Sequence, residues 1–292
     1  MGNKSIEVSV ITWDGGFREQ FHTVDFFCNQ SLPETEYEFI WAEYYSSINS
    51  DLKGTISNYP NARAICLDLD GDWHVGKCMN RGLAASFGNH LVLIDGDIAV
   101  NRDFLEKDLE VHEQYPGTAV YYRRWDEPQA SADNQSRRKT IEYLDAHCRM
   151  MNPTNYGGCL TLGRELIEAV NGYEEHSIFA GSGAINMELY VRLVNSGVPV
   201  MWHPSTKVYH PWHRGTIPSN KTAKIFIQKD IIKNRSLNID IKSDPDQVER
   251  YMSKISVRKK SKKNRRIKRQ ICQAYYLNGL KTRMETLFKS IF

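Results

Sequence analysis

At 292 residues, 41% hydrophobic and 25% charged, the chain has the composition of a soluble globular protein with room for one large α/β domain or two small ones. Apolar runs such as Leu91–Ile94 are strand-sized, which argues against a bilayer-spanning helix; Met1–Ser5 runs straight into a strand-like segment, so no secretory signal is expected, and Ile6 breaks the myristoylation pattern. The net charge of +3 is unevenly divided: from Lys254 onward thirteen Lys/Arg face one Glu, a net +12, which leaves −9 on the residues before it.

In chain order, Glu7–Thr12 reads as a buried first strand, and Phe17–Asn29, with Phe17, Phe21, Val24, Phe27 and Cys28 at helical spacing, as a helix. Tyr37–Ala42 and Ala62–Leu67 are strand-like, Lys77–Phe87 helical, and His90–Ile94 a strand ending on Asp95-Gly96-Asp97. The polar run from Asp126 to Arg138 predicts a loop or lid. Tyr156–Thr161 is a further strand, Arg164–Asn171 and Asn186–Asn195 are short helices, and Val198–Trp202 is the last strand. Strands alternating with helices predict a mainly parallel sheet with ligands at the carboxyl ends of its strands. Six cysteines without paired spacing fit free thiols in a reducing compartment, so a cytoplasmic protein is expected.

Asp95-Gly96-Asp97 stands at such a strand end. Two carboxylates one residue apart suit a hard divalent cation that also grips a diphosphate. Downstream, Gly157-Gly158 let backbone approach a ligand closely, Gly181 and Gly183 precede a helix start, and His203, His210 and His213 follow the last strand. Glu188 and Arg192, four apart on one helical face, read as an ion pair.

These stretches (Y-G-G-C-L-T-L-G-R, N-G-Y-E-E, A-G-S-G-A-I-N-M-E-L, then a histidine after a strand) resemble GT-A glycosyltransferases. The resemblance is in particular to polypeptide N-acetylgalactosaminyltransferases, β4-galactosyltransferases and bacterial chondroitin-type polymerases. Val8–Thr12 and K-C-M-N-R-G-L-A-A resemble their first strand and the helix before the D-x-D strand. The resemblance covers roughly residues 6–213. It implies a Rossmann-like GT-A domain over residues 1–215, with residues 216–292 as a helical, basic extension. It also implies transfer of a hexose or N-acetylhexosamine from a nucleotide-sugar donor, with UDP the leading nucleotide, to a saccharide or glycolipid acceptor in surface polysaccharide or glycolipid synthesis.

By the same resemblance, Mn²⁺ or Mg²⁺ is held by Asp97, Asp95 and His210. Thr12, Glu43, Lys77, Asn80, Asp95 and Gly158 line the donor, and Asn186, Glu188 and Asp97 are the catalytic candidates. Inverting relatives carry Glu-Asp, with the Asp as general base, where this chain has Ile185-Asn186. Three readings stay open: a retaining enzyme, an inverting one using Glu188 or Glu174/Glu175, and an inactive saccharide-binding or scaffold relative. Trp125, Trp202 and Trp212 are candidates for stacking on sugar rings, with core packing the alternative for Trp202.

Two features compete with or extend this reading. Asp68-Leu69-Asp70-Gly71-Asp72 mimics the opening of haloacid-dehalogenase-like phosphatases, where Asp68 and Asp70 would act as nucleophile and acid/base. The basic run Lys254–Arg269 beside an apolar helical pattern suits an anionic membrane surface at about 1 kcal/mol per basic residue, making the enzyme peripheral on a membrane's inner face. A partner-binding tail is the alternative. Nucleic acid fits less well, since the run lacks interleaved aromatics.

Overall fold

The computed structural model describes residues 6–129 and 139–213, together with Ile232. Its elements are β1 (Val8–Asp14), α1 (His22–Cys28), β2 (Tyr37–Glu43), α2 (Ser50–Ile56), β3 (Ala62–Cys66), α3 (Val75–Ala85), β4 (His90–Asp95), α4 (Phe104–Gln114), β5 (Ala119–Asp126), α5 (Ile141–His147), β6 (Cys159–Gly163), α6 (Arg164–Ala169), α7 (Ala184–Asn195) and β7 (Val200–His210). Apart from Ile232, which is buried in the core, the predicted basic extension lies outside the described residues, as do its boundary at residue 215 and most of the predicted lid.

The strands form one seven-stranded sheet in the order β3-β2-β1-β4-β6-β5-β7. β1 pairs in parallel with β2 and β4, β2 with β3, and β5 with β7; β6 runs antiparallel to both β4 and β5. Because two antiparallel steps restore direction, every strand except β6 points the same way. One edge of the sheet therefore gathers the carboxyl ends of β1, β2, β4, β5 and β7: Asp14, Glu43, Asp95, Asp126 and His210.

Alternation of side chains puts a hydrophobic layer on each face. Val8, Val10, Phe39, Trp41, Val92 and Ile94 pack with Val24 and Phe27 of α1, Leu52 of α2 and Phe104 of α4. Ile11, Ile40, Leu91 and Leu93 pack on the other face with Met79 of α3, Ile167 of α6, and Ile185, Leu189 and Leu193 of α7. Both faces of the central strands being covered explains why β1, β2 and β4 read as continuous apolar runs rather than alternating ones.

The structure corrects several expectations. The first helix begins at His22 rather than Phe17, because residues 15–21 turn back over the end of β1, with Gly16 at φ 70°. α2, α4, α5 and β5 were not expected. Asp126, predicted to open a loop, is the last residue of β5. β6 starts at Cys159, leaving Tyr156-Gly157-Gly158 as a turn. β7 runs on to His210 through Pro204, which an edge strand tolerates because its N–H side needs no partner. No helix among the described residues is long and apolar enough to cross a membrane.

Candidate active site

The site is built at the carboxyl edge, where β4 hands over to the Asp95-Gly96-Asp97 turn. Asp97 meets two histidines: His210 Nε2 lies 3.7 Å from Oδ1 and His213 Nε2 3.3 Å from Oδ2, while the two Nε2 atoms are 3.1 Å apart. Register explains how His210 arrives. It pairs with Asp126 across β5 and β7, and its Nδ1 is 3.1 Å from the Asp126 carboxylate, which also accepts from Arg124 at 2.8 Å. The segment that carries His213 is tied down by Glu127, whose buried carboxylate accepts from the Trp212 N–H at 2.8 Å, the Tyr143 hydroxyl at 3.0 Å and the Lys139 ammonium.

Electrostatics sharpen the arrangement. Burial alone would suppress the charge on His210, but Asp97 and the hydrogen bond to Asp126 outweigh it and raise the imidazole to about 9. Burial likewise opposes ionisation of Asp97, yet Arg18, His210 and His213 hold its carboxyl well below the usual range. Burial and the neighbouring Asp97 charge push Asp95 up to about 6.

These residues fit a divalent cation. Asp97 Oδ1 is buried with no hydrogen-bond partner, and it faces two imidazole nitrogens close enough to share one ion. One carboxylate and two imidazoles suit Mn²⁺ or Zn²⁺, and the Asp126 contact supplies the outer carboxylate that commonly orients a ligating histidine. Asp95 lies outside this cluster: its Oδ1 accepts from Trp13 Nε1 at 3.1 Å, and its Oδ2 borders Gly157. His213 is thus the third member, while His203 stacks on Tyr122 instead.

The remaining candidates divide. Thr12 and Glu43 sit buried at the carboxyl ends of β1 and β2, the Thr12 hydroxyl without a partner. Burial and the adjacent Asp14 raise the Glu43 carboxyl to about 7. The Gly158 carbonyl accepts from the Asp95 N–H at 3.4 Å, pinning β6 to the D-G-D turn. A Cβ on Gly157 would lie 2.6 Å from Asn186 Nδ2 and 2.9 Å from Asp95 Oδ2, so only glycine lets these two side chains close over the turn. Lys77 is half-buried in the first turn of α3.

Asn80 serves the fold rather than the donor. Its Nδ2 donates to Tyr173 O at 2.8 Å and Glu175 Oε1 at 2.6 Å, and its Oδ1 accepts from Tyr173 N at 2.7 Å, latching α3 to the turn after α6. Glu188 is fully buried in a two-pronged pair with Arg192 (2.7 and 2.9 Å), whose guanidinium also donates to Gly172 O at 2.8 Å and to Val170 O. Such a carboxylate is held in place and shielded from an acceptor hydroxyl. Glu174 is also buried and accepts from the Glu175 and His176 N–H groups.

Trp202 packs against Tyr121 and Tyr156, Lys207 lies 4.3 Å over the Trp125 ring, and Trp212 is half-buried beside His213. Asp68 and Asp70 are exposed beyond β3, an edge strand, far from the placement a buried nucleophile needs. A second histidine–carboxylate group, His90, Asp108 and His112, closes on itself through Thr161 and Tyr122, tying β4, β5 and β6 to α4.

Arg18 was not anticipated at all. Its side chain, 7% exposed, donates to Trp13 O at 2.9 Å, Asp14 Oδ1 at 3.2 Å and Asp97 Oδ2 at 3.4 Å, and lies over the Trp13 and Phe17 rings. Nothing in its local pattern announces this, since Glu19-Gln20 follow it in what reads as a solvated helix face.

No sequence-family profile and no curated protein sequence matches the chain. Solved structures do. TarS (residues 1–349) of Staphylococcus aureus superimposes with a TM-score of 0.56 in its UDP complex, at 13% identity over 78% of this chain and 64% of that one. Its UDP-GlcNAc complex gives 0.54, at 14% identity over 74% and 61%. The mannosyltransferase PcManGT of Pyrobaculum calidifontis, in complex with GDP-Man and Mn²⁺, gives 0.50, at 14% identity over 76% and 60%. The chain thus spans about six-tenths of the length of these structures. Sheet order, carboxyl-edge site and these likenesses together establish a GT-A glycosyltransferase fold.

Proposed function

We propose that the chain is a metal-dependent glycosyltransferase that moves a hexose or N-acetylhexosamine from a nucleotide-sugar to a saccharide or glycolipid acceptor. The observation that carries this is Asp97: a half-buried carboxylate at the D-x-D position, one oxygen without a hydrogen bond, facing His210 and His213. A divalent cation at that position, Mn²⁺ on this set of one carboxylate and two imidazoles, would neutralise the nucleoside diphosphate as it leaves.

The chain's own residues do the rest. Thr12 and Glu43 would border the nucleoside, Asp97, His210 and His213 would hold the cation, and Asn186, in the first turn of α7, faces Asp95 across Gly157. An asparagine amide orients a hydroxyl but takes no proton from it. With Glu188 and Glu174 engaged in the fold, the arrangement favours transfer that needs no carboxylate base at this spot, as in retaining enzymes.

The structural likenesses include UDP- and GDP-bound proteins, so the donor screen should be broad. UDP-, GDP- and CDP-sugars are tested by thermal shift and sugar release, with and without Mn²⁺. Metal-dependent stabilisation by one donor with slow release of its sugar is expected. Stabilisation without release, even with oligosaccharide acceptors present, would favour the second reading, an inactive donor-binding relative, to which Asn186 in place of Asp is the pointer. No response to any donor would overturn both. The basic extension would hold the enzyme on the inner face of a membrane, which vesicle flotation with anionic lipid tests.

A further inference from the structure

We propose that Arg18 is a resident cation that makes the site poor at binding a free divalent ion and good at binding one together with a diphosphate. The inference rests on the metal reading above. Asp97 Oδ2 is already engaged by Arg18 at 3.4 Å and His213 at 3.3 Å, while Oδ1 accepts no hydrogen bond and has His210 Nε2 at 3.7 Å. A divalent ion taken up on Oδ1 shares its carboxylate with a guanidinium.

That guanidinium cannot swing away. It is fixed by Trp13 O and Asp14, sandwiched against the Trp13 and Phe17 rings at 4.9 and 5.0 Å, and lies against the D-G-D turn itself. A Cβ on Gly96 would come within 2.8 Å of Arg18 Nε, so the glycine between the two aspartates is what admits the arginine. Nor can it lose its proton, since arginine stays charged under all protein conditions. At 7% exposure the repulsion between it and an arriving ion is weakly screened.

A diphosphate changes the balance. Its negative charges attract the divalent ion and Arg18 alike, so the arginine that repels a free ion helps to hold one that arrives with its nucleotide. By linkage, ion and nucleotide each raise the affinity of the other by one shared factor. In the empty site Arg18 has a complementary benefit: it keeps Asp14, Asp95 and Asp97 from repelling one another open.

The test is calorimetric titration of the intact protein with MnCl₂, alone and at saturating UDP, and of UDP with and without Mn²⁺. Wild type is expected to bind Mn²⁺ far more tightly with UDP than without. Arg18→Met, which keeps the apolar stem, and Arg18→Gln, which keeps a hydrogen-bond donor, should each bind Mn²⁺ alone at least tenfold more tightly and UDP alone at least tenfold more weakly. Arg18→Lys, retaining the charge, should behave as wild type. Equal Mn²⁺ affinity with and without UDP in wild type would overturn the proposal whatever the variants do. So would a folded neutral variant with unchanged or weaker Mn²⁺ binding, or tightening by Arg18→Lys to the same degree. Absence of any Mn²⁺ or nucleotide binding in wild type would overturn the transferase reading together with this one.

Discussion

His210 turns its Nδ1 to the Asp126 carboxylate at 3.1 Å, which leaves its Nε2 aimed at Asp97. Both residues end neighbouring strands in register, so the orientation is a property of the sheet rather than of a loop. Asp126→Asn should therefore leave the fold intact while weakening Mn²⁺ binding about ten- to a hundredfold, the usual size of an outer-carboxylate effect. Calorimetry with MnCl₂ at saturating UDP, beside a circular-dichroism check of folding, measures both.

Glu188 and Arg192 make the opposite kind of pair. Each side chain is 0% exposed, and the guanidinium also braces the chain between α6 and the following turn. Removing one partner strands a buried charge, at a cost of about 3–5 kcal/mol. Glu188→Ala is expected to lower the midpoint of thermal unfolding by on the order of 10 °C. A catalytic base would respond differently: Glu188→Gln would keep its stability and lose turnover. Paired thermal denaturation and sugar-release assays separate the two.

How much of this was legible beforehand depended on whether the relationship runs along the chain or across the sheet. β1, β2 and β4 announced themselves as apolar runs, and Asp95-Gly96-Asp97 at the end of β4 followed from them. The Glu188–Arg192 pair was readable from its spacing of four, though not its burial. β5 was hidden because Arg123 and Arg124 interrupt its apolar pattern just where its pairing with β7 shifts register. With β5 went Asp126, hence the partner that orients His210. Arg18 was illegible for a similar reason: its partners Asp14 and Asp97 belong to two strand ends that only the parallel pairing of β1 with β4 brings together. Asn80, carried to the donor by resemblance, illustrates the converse, since its amide is consumed by Tyr173 and Glu175.

Gly157 offers a steric test of the acceptor side. An added methyl would need to displace Asn186 or Asp95, both within 3 Å of where it would stand. Gly157→Ala should cost about 1–3 kcal/mol by overpacking. Its larger effect should be on turnover, about a hundredfold, because the shift falls between the D-G-D turn and the first turn of α7. Comparable losses of stability and of activity, scaling together across temperature, would instead mark the glycine as a packing position alone.

Glu43 yields a pH prediction whose sign can be worked out. Burial and Asp14 raise its carboxyl from an ordinary 4.5 to about 7, so the folded protein holds a proton there that the unfolded chain has released. Between these two values the native state binds more protons, and stability falls as pH rises. The contribution is fully present below about 4.5 and lost by the time pH passes through about 7, a difference of roughly 3 kcal/mol. Glu43→Gln, a neutral mimic of the protonated acid, should match wild type near pH 5 and exceed it at pH 8. Denaturant unfolding of both proteins from pH 5 to 8 would show the two stability curves diverging above pH 6; parallel curves would mean that Glu43 is ionised throughout and that Asp14 does not oppose its charge.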